Sequence, residues 1–273
     1  MSGGPIDPIV REIEDAFVAH WSLLGQWPGA SLVDEDGVMR FETPLTKLPY
    51  NGVIRTRIED GAAEVAARVA AAYADRGSNF FWAVHPSSEP DDLADVLAGA
   101  GLELVEIATG MSLDLEAREP VGRSSPSSVG FEEVVDEVGL RAYTDVSIAY
   151  WELEETDRDQ VEVLNRHWFG ERARGHRWLA LNDGRVVGKG YLSVAGPPGV
   201  ASIYGMSVLP EARGMGVAGA LTETLVAQAK ELGCKRVVLH SSEMATGVYR
   251  RAGFVERCKF RFFATAPIWS GQN

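Results

Sequence analysis

The succession of apolar and polar positions divides the chain into two runs of regular elements around a stretch that has no period. In the second run, apolar and β-branched residues predict strands over 131–135, 177–181, 186–194, 201–208, 236–240 and 255–264. The turn Asn182-Asp183-Gly184 joins the second and third of these into a hairpin. Helical spacing predicts helices over 140–151, 159–169, 217–232 and 244–251. The helix at 217–232 is the clearest: Leu221, Leu225, Ala229 and Leu232 fall four, four and three apart, and Gly233 ends it.

The first run repeats part of this order, with a helix over 62–76, a strand over 80–84, a helix over 91–98 and a strand over 104–113. In both runs the short helix ends on Ala-Gly-apolar, Ala100-Gly101-Leu102 and Ala252-Gly253-Phe254, about 150 residues apart. Four elements repeated in one order point to a tandem duplication. The Ser-, Pro- and Gly-rich stretch 116–130 has no apolar period and reads as a linker. The expected organisation is a domain over 1–118, a linker over 119–130 and a second domain over 131–273.

Composition narrows the class. Of 273 residues, 45% are apolar and 24% charged, enough for a real core and against global disorder. The net charge of −13 argues against nucleic-acid and anionic-membrane binding. Residues 1–120 carry 8 basic and 21 acidic side chains, whereas 121–273 carry 18 of each. The excess acidity therefore belongs to the first run. The N-terminus lacks the pattern of a secretory signal, and no apolar run approaches the roughly 20 residues of a membrane span. Cys234 and Cys258 have no metal-ligand spacing, so the expectation is a cytoplasmic chain with two reduced, buried thiols and no metal.

Candidate chemistry concentrates in Val208-Leu209-Pro210-Glu211-Ala212-Arg213-Gly214-Met215-Gly216-Val217-Ala218, between a strand and the clearest helix. Its glycines permit positive φ, the helix's first-turn N–H groups suit an anion, and Arg213 adds a cation. Taken alone, the segment could be a surface turn. Residues 214–219 also fit G-x-G-x-x-G, but residues 210–213 intervene after the strand and only 54 residues follow Gly219, too few for a dinucleotide domain. Arg213-x-x-Gly216-x-Ala218 resembles the acyl-CoA pyrophosphate signature Q/R-x-x-G-x-G/A of the GNAT superfamily of N-acyltransferases. Tyr249-Arg250-Arg251-Ala252-Gly253-Phe254 resembles that family's Y-x-x-x-G-F element.

The resemblance implies an α/β fold, with an α+β mixed sheet, built as two tandem GNAT-like domains. The first lacks an R-x-x-G-x-A loop and is expected to be a degenerate copy that binds no acyl-CoA. It further implies that backbone groups of Met206, Ser207 and Val208 hold the pantetheine arm of acetyl-CoA as an added strand. Amides of Arg213, Gly214, Met215, Gly216, Val217 and Ala218 are expected to hold the pyrophosphate. Tyr249 is the implied general acid, although a ring packing at a helix end is the plainer reading of the residue. Ser242 stands where many members have Asn. The strand 201–208 has no carboxylate where many carry the general base, leaving a water chain, His240, Glu243 or a carboxylate before Gly170.

The acidic stretch after Tyr150, including Trp151, Glu152 and Glu155, fits either a solvated loop capping the next helix or a grip on a cationic amine. The basic cluster Arg166, His167, Arg172, Arg174, His176 and Arg177 reads as a solvated face rather than a nucleic-acid site. The expected activity is acetyl transfer to a small polar, cationic amine, an aminoglycoside-like antibiotic or polyamine among the first guesses. A non-catalytic acyl-CoA-binding module and a transferase of longer acyl groups stay open, as does the oligomeric state.

Overall fold

The computed structural model describes residues 6–118 and 129–265. The first half runs α1 (Pro8–Ser22), β1 (Ser31–Glu35), β2 (Val38–Glu42), β3 (Gly52–Thr56), α2 (Ala62–Asp75), β4 (Phe81–Val84), α3 (Leu93–Gly99) and β5 (Glu103–Asp114). The second runs β6 (Val129–Glu133), α4 (Glu137–Tyr150), α5 (Arg158–His167), β7 (Gly175–Asn182), β8 (Arg185–Ser193), β9 (Val200–Val208), α6 (Val217–Glu231), β10 (Arg236–Ser241), α7 (Glu243–Arg251) and β11 (Val255–Ala264). Residues 119–128 of the expected linker lie outside the described residues. Its last two positions, Val129 and Gly130, already belong to β6.

All eleven strands form one mixed sheet, in the order β1-β2-β3-β4-β11-β5-β10-β9-β8-β7-β6. The halves repeat about its centre: β3 and β4 pair in parallel, as do β9 and β10, and the strands outside them pair antiparallel. The last strands are exchanged. β11 lies between β4 and β5, and β5 lies between β11 and β10. Each half thus completes the other's sheet.

The repeated Ala-Gly-apolar signature is a helix stop. Gly101 and Gly253 take φ of 86° and 91°, and the amides of Leu102 and Phe254 reach back to the carbonyls of Leu97 and Tyr249 at 3.1 and 3.0 Å. Such six-to-one closures carry an apolar contact between the bonded residues, and the four side chains concerned are buried.

Cores form on both faces. Under α6 and α7, Leu221, Leu225 and Ala229 pack with Val237 and Leu239, and also with Met111 and Leu113 of β5. On the opposite face, α1 lays Ile13, Ala16 and Phe17 against Phe41, Phe81, Val238 and Phe260. Helix α1 is capped by Asp7, whose carboxylate accepts the Ile9 amide at 2.8 Å, and has Pro8 in its first turn. It crosses both halves of the sheet.

Candidate active site

β9 and β10 pair only from Val200 opposite Arg236 to Ile203 opposite Leu239, after which the strands part. β9 continues through Met206, Ser207 and Val208 while still bonded to β8 on its other side. Among the described residues, no backbone bond joins 204–208 to the chain beyond Leu239. A V-shaped cleft with an open strand edge results. A bulge at Gly205, φ 58°, bends β9 where the cleft opens.

The loop leaving β9 turns through residues 210–212 and the left-handed Gly214 and Gly216, φ 76° and 82°. Gly216 is the N-cap of α6, and no side chain caps the helix. Its first-turn amides, including those of Val217 and Ala218, therefore lack an intrahelical acceptor and add to the positive end of the helix dipole. Arg213, Gly214 and Met215 are exposed around it, and Arg213 Nε donates to the Val208 carbonyl at 3.4 Å. An open strand edge, free helix amides and a cation occur in one run of residues. This set suits a long ligand with an amide-bearing arm and a pyrophosphate.

The equivalent cleft of the first half is closed. β3 and β4 pair only at Gly52–Phe81 and Val53–Trp82, but the chain after β4 returns to fill the gap. The Glu89 amide donates to the Thr56 carbonyl and the Ile58 amide to the Glu89 carbonyl, both at 3.1 Å, while Trp82 Nε1 reaches Thr56 Oγ1 at 2.8 Å. Gly61 caps α2 with φ 69°, as Gly216 caps α6, but Ile58 stands where the second half has Arg213, and Glu59 and Asp60 stand where it has Gly214 and Met215. Two carboxylates there repel a phosphate.

Tyr249 lies in the last turn of α7, buried, with its ring set edge-on to Phe254 at 5.8 Å. Burial, then the nearby Tyr150 phenol, hold its pKa well above the ordinary tyrosine value, so the phenol keeps its proton at neutral pH. Tyr150 ends α4 and is itself raised by burial, against the pull of the Arg213 charge. Ser242 starts α7 without capping it, and its carbonyl accepts Ser241 Oγ at 2.8 Å and Thr246 Oγ1 at 2.9 Å.

Two of the candidate bases have different surroundings. Glu243 is exposed. Neither ring nitrogen of His240 has a partner, and the ring packs at 4.2 Å from Phe260 and 5.1 Å from Phe17. Burial, reinforced by His85, pushes its pKa down to about 3, so it has little basicity at neutral pH.

The face of β7–β9 under α4 holds residues the sequence pattern hides. Arg177 and Lys189 are buried, at 8% and 4% exposure, on adjacent strands. Lys189 Nζ lies 4.2 Å from the centre of the Tyr143 ring, and the Arg177 guanidinium lies 5.7 Å from Tyr143 and 5.2 Å from Tyr191. Such contacts return about 0.5–2 kcal/mol each, less than the several kcal/mol that burying an ion costs. Burial, then the Arg177 charge, brings the Lys189 ammonium down to about 7. Arg177 was expected on a solvated face; here it belongs to β7, and one N–H donates to the Trp168 carbonyl at 2.8 Å. Beside it His20 of α1 stacks on Tyr204 at 3.7 Å, and His20 Nδ1 has no hydrogen-bond partner among the described residues.

The acidic stretch sits further out. Glu155 is exposed and bonded to Arg158 at 2.5 Å, and Lys47 of the first half meets Glu154 at 2.7 Å and Asp157 at 3.5 Å. Trp151 is half-buried beside Tyr150 and Glu152 is exposed. Cys234 and Cys258 are unpaired and half-buried rather than buried. Among the described residues, no helix is long and apolar enough to cross a membrane and no group of His, Cys, Asp or Glu is gathered to hold a metal.

Residues 140–254 match the sequence model of the Acetyltransferase (GNAT) family. The chain is 30% identical over 90 residues to a mycothiol acetyltransferase of Geodermatophilus obscurus, covering 32% of this chain and 27% of that protein. It is 32% identical over 104 residues to the mycothiol acetyltransferase of Cellulomonas flavigena, covering 34% and 30%. The matches thus span under a third of either relative. In structure it is similar to a GCN5-related N-acetyltransferase from Kribbella flavida, with a TM-score of 0.66 and 18% identity over 94% of this chain and 96% of that one. A tandem GNAT protein from the clavulanic acid biosynthesis pathway gives 0.61 and 15% over 97% and 95%. The sequence likeness to the GNAT acetyltransferase family thus covers residues 140–254, and the chain as a whole shares the mixed α/β fold of these solved structures.

Proposed function

We propose that the chain is an acetyl-CoA-dependent N-acetyltransferase in which the second half, from residue 131 on, binds the co-substrate and the first half, 1–118, is a degenerate copy that does not. The contrast between the two clefts carries this reading. Both helix starts lack a side-chain cap, but one cleft has an open strand edge and Arg213, whereas the other is bridged by Glu89 and has Glu59 and Asp60 before its helix. Acetyl-CoA supplies the acyl thioester. Met206, Ser207 and Val208 offer backbone groups to its pantetheine arm, and the amides from Arg213 to Ala218 hold its pyrophosphate, with Ser242 at the neighbouring helix start.

Amides at the bulge in β9 are placed to polarise a carbonyl oxygen. The Tyr249 phenol, protonated at neutral pH, gives its proton to the departing thiolate. The acceptor is a small polar amine. The expectation of a cationic, aminoglycoside-like acceptor leaned on carboxylates that are exposed or engaged with Arg158 and Lys47, and the wall under α4 carries the opposite charge. A transferase with two free thiols works in a reducing compartment such as the cytoplasm.

Calorimetry with acetyl-CoA and thiol release across an amine panel test the reading. We expect Arg213→Glu to weaken acetyl-CoA binding by about tenfold or more, since it sets a carboxylate against phosphate. Unchanged affinity removes the loop from the pyrophosphate site. Tight binding with no thiol release for any amine turns the protein into a binding module.

A further inference from the structure

Arg177 and Lys189 are two buried cations side by side, and among the described residues neither forms an ion pair. Several carboxylates on the neighbouring elements are committed elsewhere, Glu133 to His176, Glu137 and Glu162 to Arg166, Asp145 to Arg158, and Glu132 of β6 is exposed. What surrounds the pair instead is aromatic, from Tyr143 and Tyr191. One guanidinium N–H is spent on the Trp168 carbonyl; Lys189 Nζ has no hydrogen-bond acceptor among the described residues. A buried guanidinium beside a buried lysine amine, with no counter-charge, is costly, and an anion bound between them offsets that cost.

The position is as telling as the charge. Gly205 is exposed and lies at the start of the free edge of β9, two residues after Ile203, the last residue paired with β10. A side-chain carbon placed on Gly205 would lie 3.7 Å from Lys189 Nζ and 3.5 Å from the Tyr143 hydroxyl. Lys189, with Arg177 on the adjacent strand, therefore faces the mouth of the cleft, on the sheet face opposite α6.

We infer that Arg177 and Lys189 form an anion-binding wall of the acceptor site, and that the amine acetylated by this chain also carries a carboxylate or phosphate group. This rests on the acyl-transfer reading for the amine, but not for the anion. The guanidinium takes the acid group through its remaining N–H donors and the ammonium takes it as a point charge. The acid end lies under α4, and the amine end points to the open edge of β9.

The test uses the full-length protein with matched probes: amino acids against their methyl esters, and glucosamine 6-phosphate against glucosamine. Binding is read by calorimetry in the presence of CoA, and turnover by thiol release from acetyl-CoA. The acid member of a pair should bind about tenfold or more tighter than its neutral counterpart. Arg177→Gln and Lys189→Met should bring that ratio near unity, and Lys189→Arg should restore part of it. Preference for carboxylates or for the phosphate tells the two sources apart. Circular dichroism checks each fold, and Lys189→Met serves if Arg177→Gln does not fold. Equal binding of both members, no binding of any probe, or equal losses for both in the variants overturns the inference. Acid-selective binding without thiol release keeps the inference and rejects acyl transfer; thiol release confined to neutral or cationic amines does the reverse.

Discussion

Tyr249 and His240 show how the same force, burial, gives two polar side chains different uses. Burial stabilises the neutral form of each, but neutral tyrosine still has a proton to give, whereas neutral histidine at about 3 has no appetite for one. Tyr249→Phe should lower kcat by about ten- to a hundredfold while leaving KM within a few-fold, the mark of help given in the transition state. Wild-type turnover in that variant would leave the ring as packing against Phe254. His240 yields a stability prediction whose sign is fixed. Its folded pKa lies below its unfolded value, so the unfolded chain binds the extra proton and stability falls as pH drops from 6.5 toward 3. His20, also pushed down to about 3 by burial, adds to the slope, whereas the neighbouring Glu14, held low by its bonds to His85 and Ser87, acts only below the ordinary carboxylate range. His240→Phe should remove one proton from this linkage. Between pH 7.5 and pH 5 it should lose less stability than wild type, by on the order of 1–2 kcal/mol, in denaturant titrations. Identical losses would place the linkage elsewhere.

At the level of elements, local pattern carried the second half far. The strand over 255–264 falls where expected and the helix at 217 ends one residue early, because apolar period and Gly233 act locally. The Ala-Gly-apolar repeat was legible for the same reason, being one helix stop written twice. Helix α1 lies outside the elements predicted from the pattern, although Asp7, Pro8 and the spacing of Ile9, Ile13, Ala16 and Phe17 announce it. Arg177 and Lys189 were not legible, since a cation in a strand reads as solvent-facing until Tyr143 and Tyr191 are placed around it. The exchange of β5 and β11 was beyond reach, because alternation fixes a strand but not its neighbour. That exchange gives the element-scale prediction. With the chain cut between 118 and 129, neither half retains both neighbours of its central strands, so each alone should be insoluble or unfolded by circular dichroism. Produced together, they should co-purify one to one. A folded, monomeric second half would mean the exchange is dispensable.

For the whole molecule, the charge asymmetry and the shared cores describe one object rather than two. Basic residues of the second half meet acids of the first in Arg236 with Glu12 and Asp114, and Lys235 with Glu116, while Arg118 reaches Glu223 the other way. Met111 and Leu113 complete the core under α6, and Val238 and Phe260 complete the core under α1. The cores under α6 and α1 both draw on the two halves, so thermal unfolding should be a single transition with equal calorimetric and van't Hoff enthalpies. At about 0.7 kcal/mol per residue near 60 °C, 273 residues give an enthalpy of roughly 190 kcal/mol. Acetyl-CoA bound only at the second half then protects both. At a hundred times its Kd it should add about 2.7 kcal/mol and move the entire transition upward, slowing amide exchange in β2 and β3 as much as in β9. Two transitions, with only the upper one moved by acetyl-CoA, would show that the halves melt apart and that the exchanged strands do not bind them into one unit.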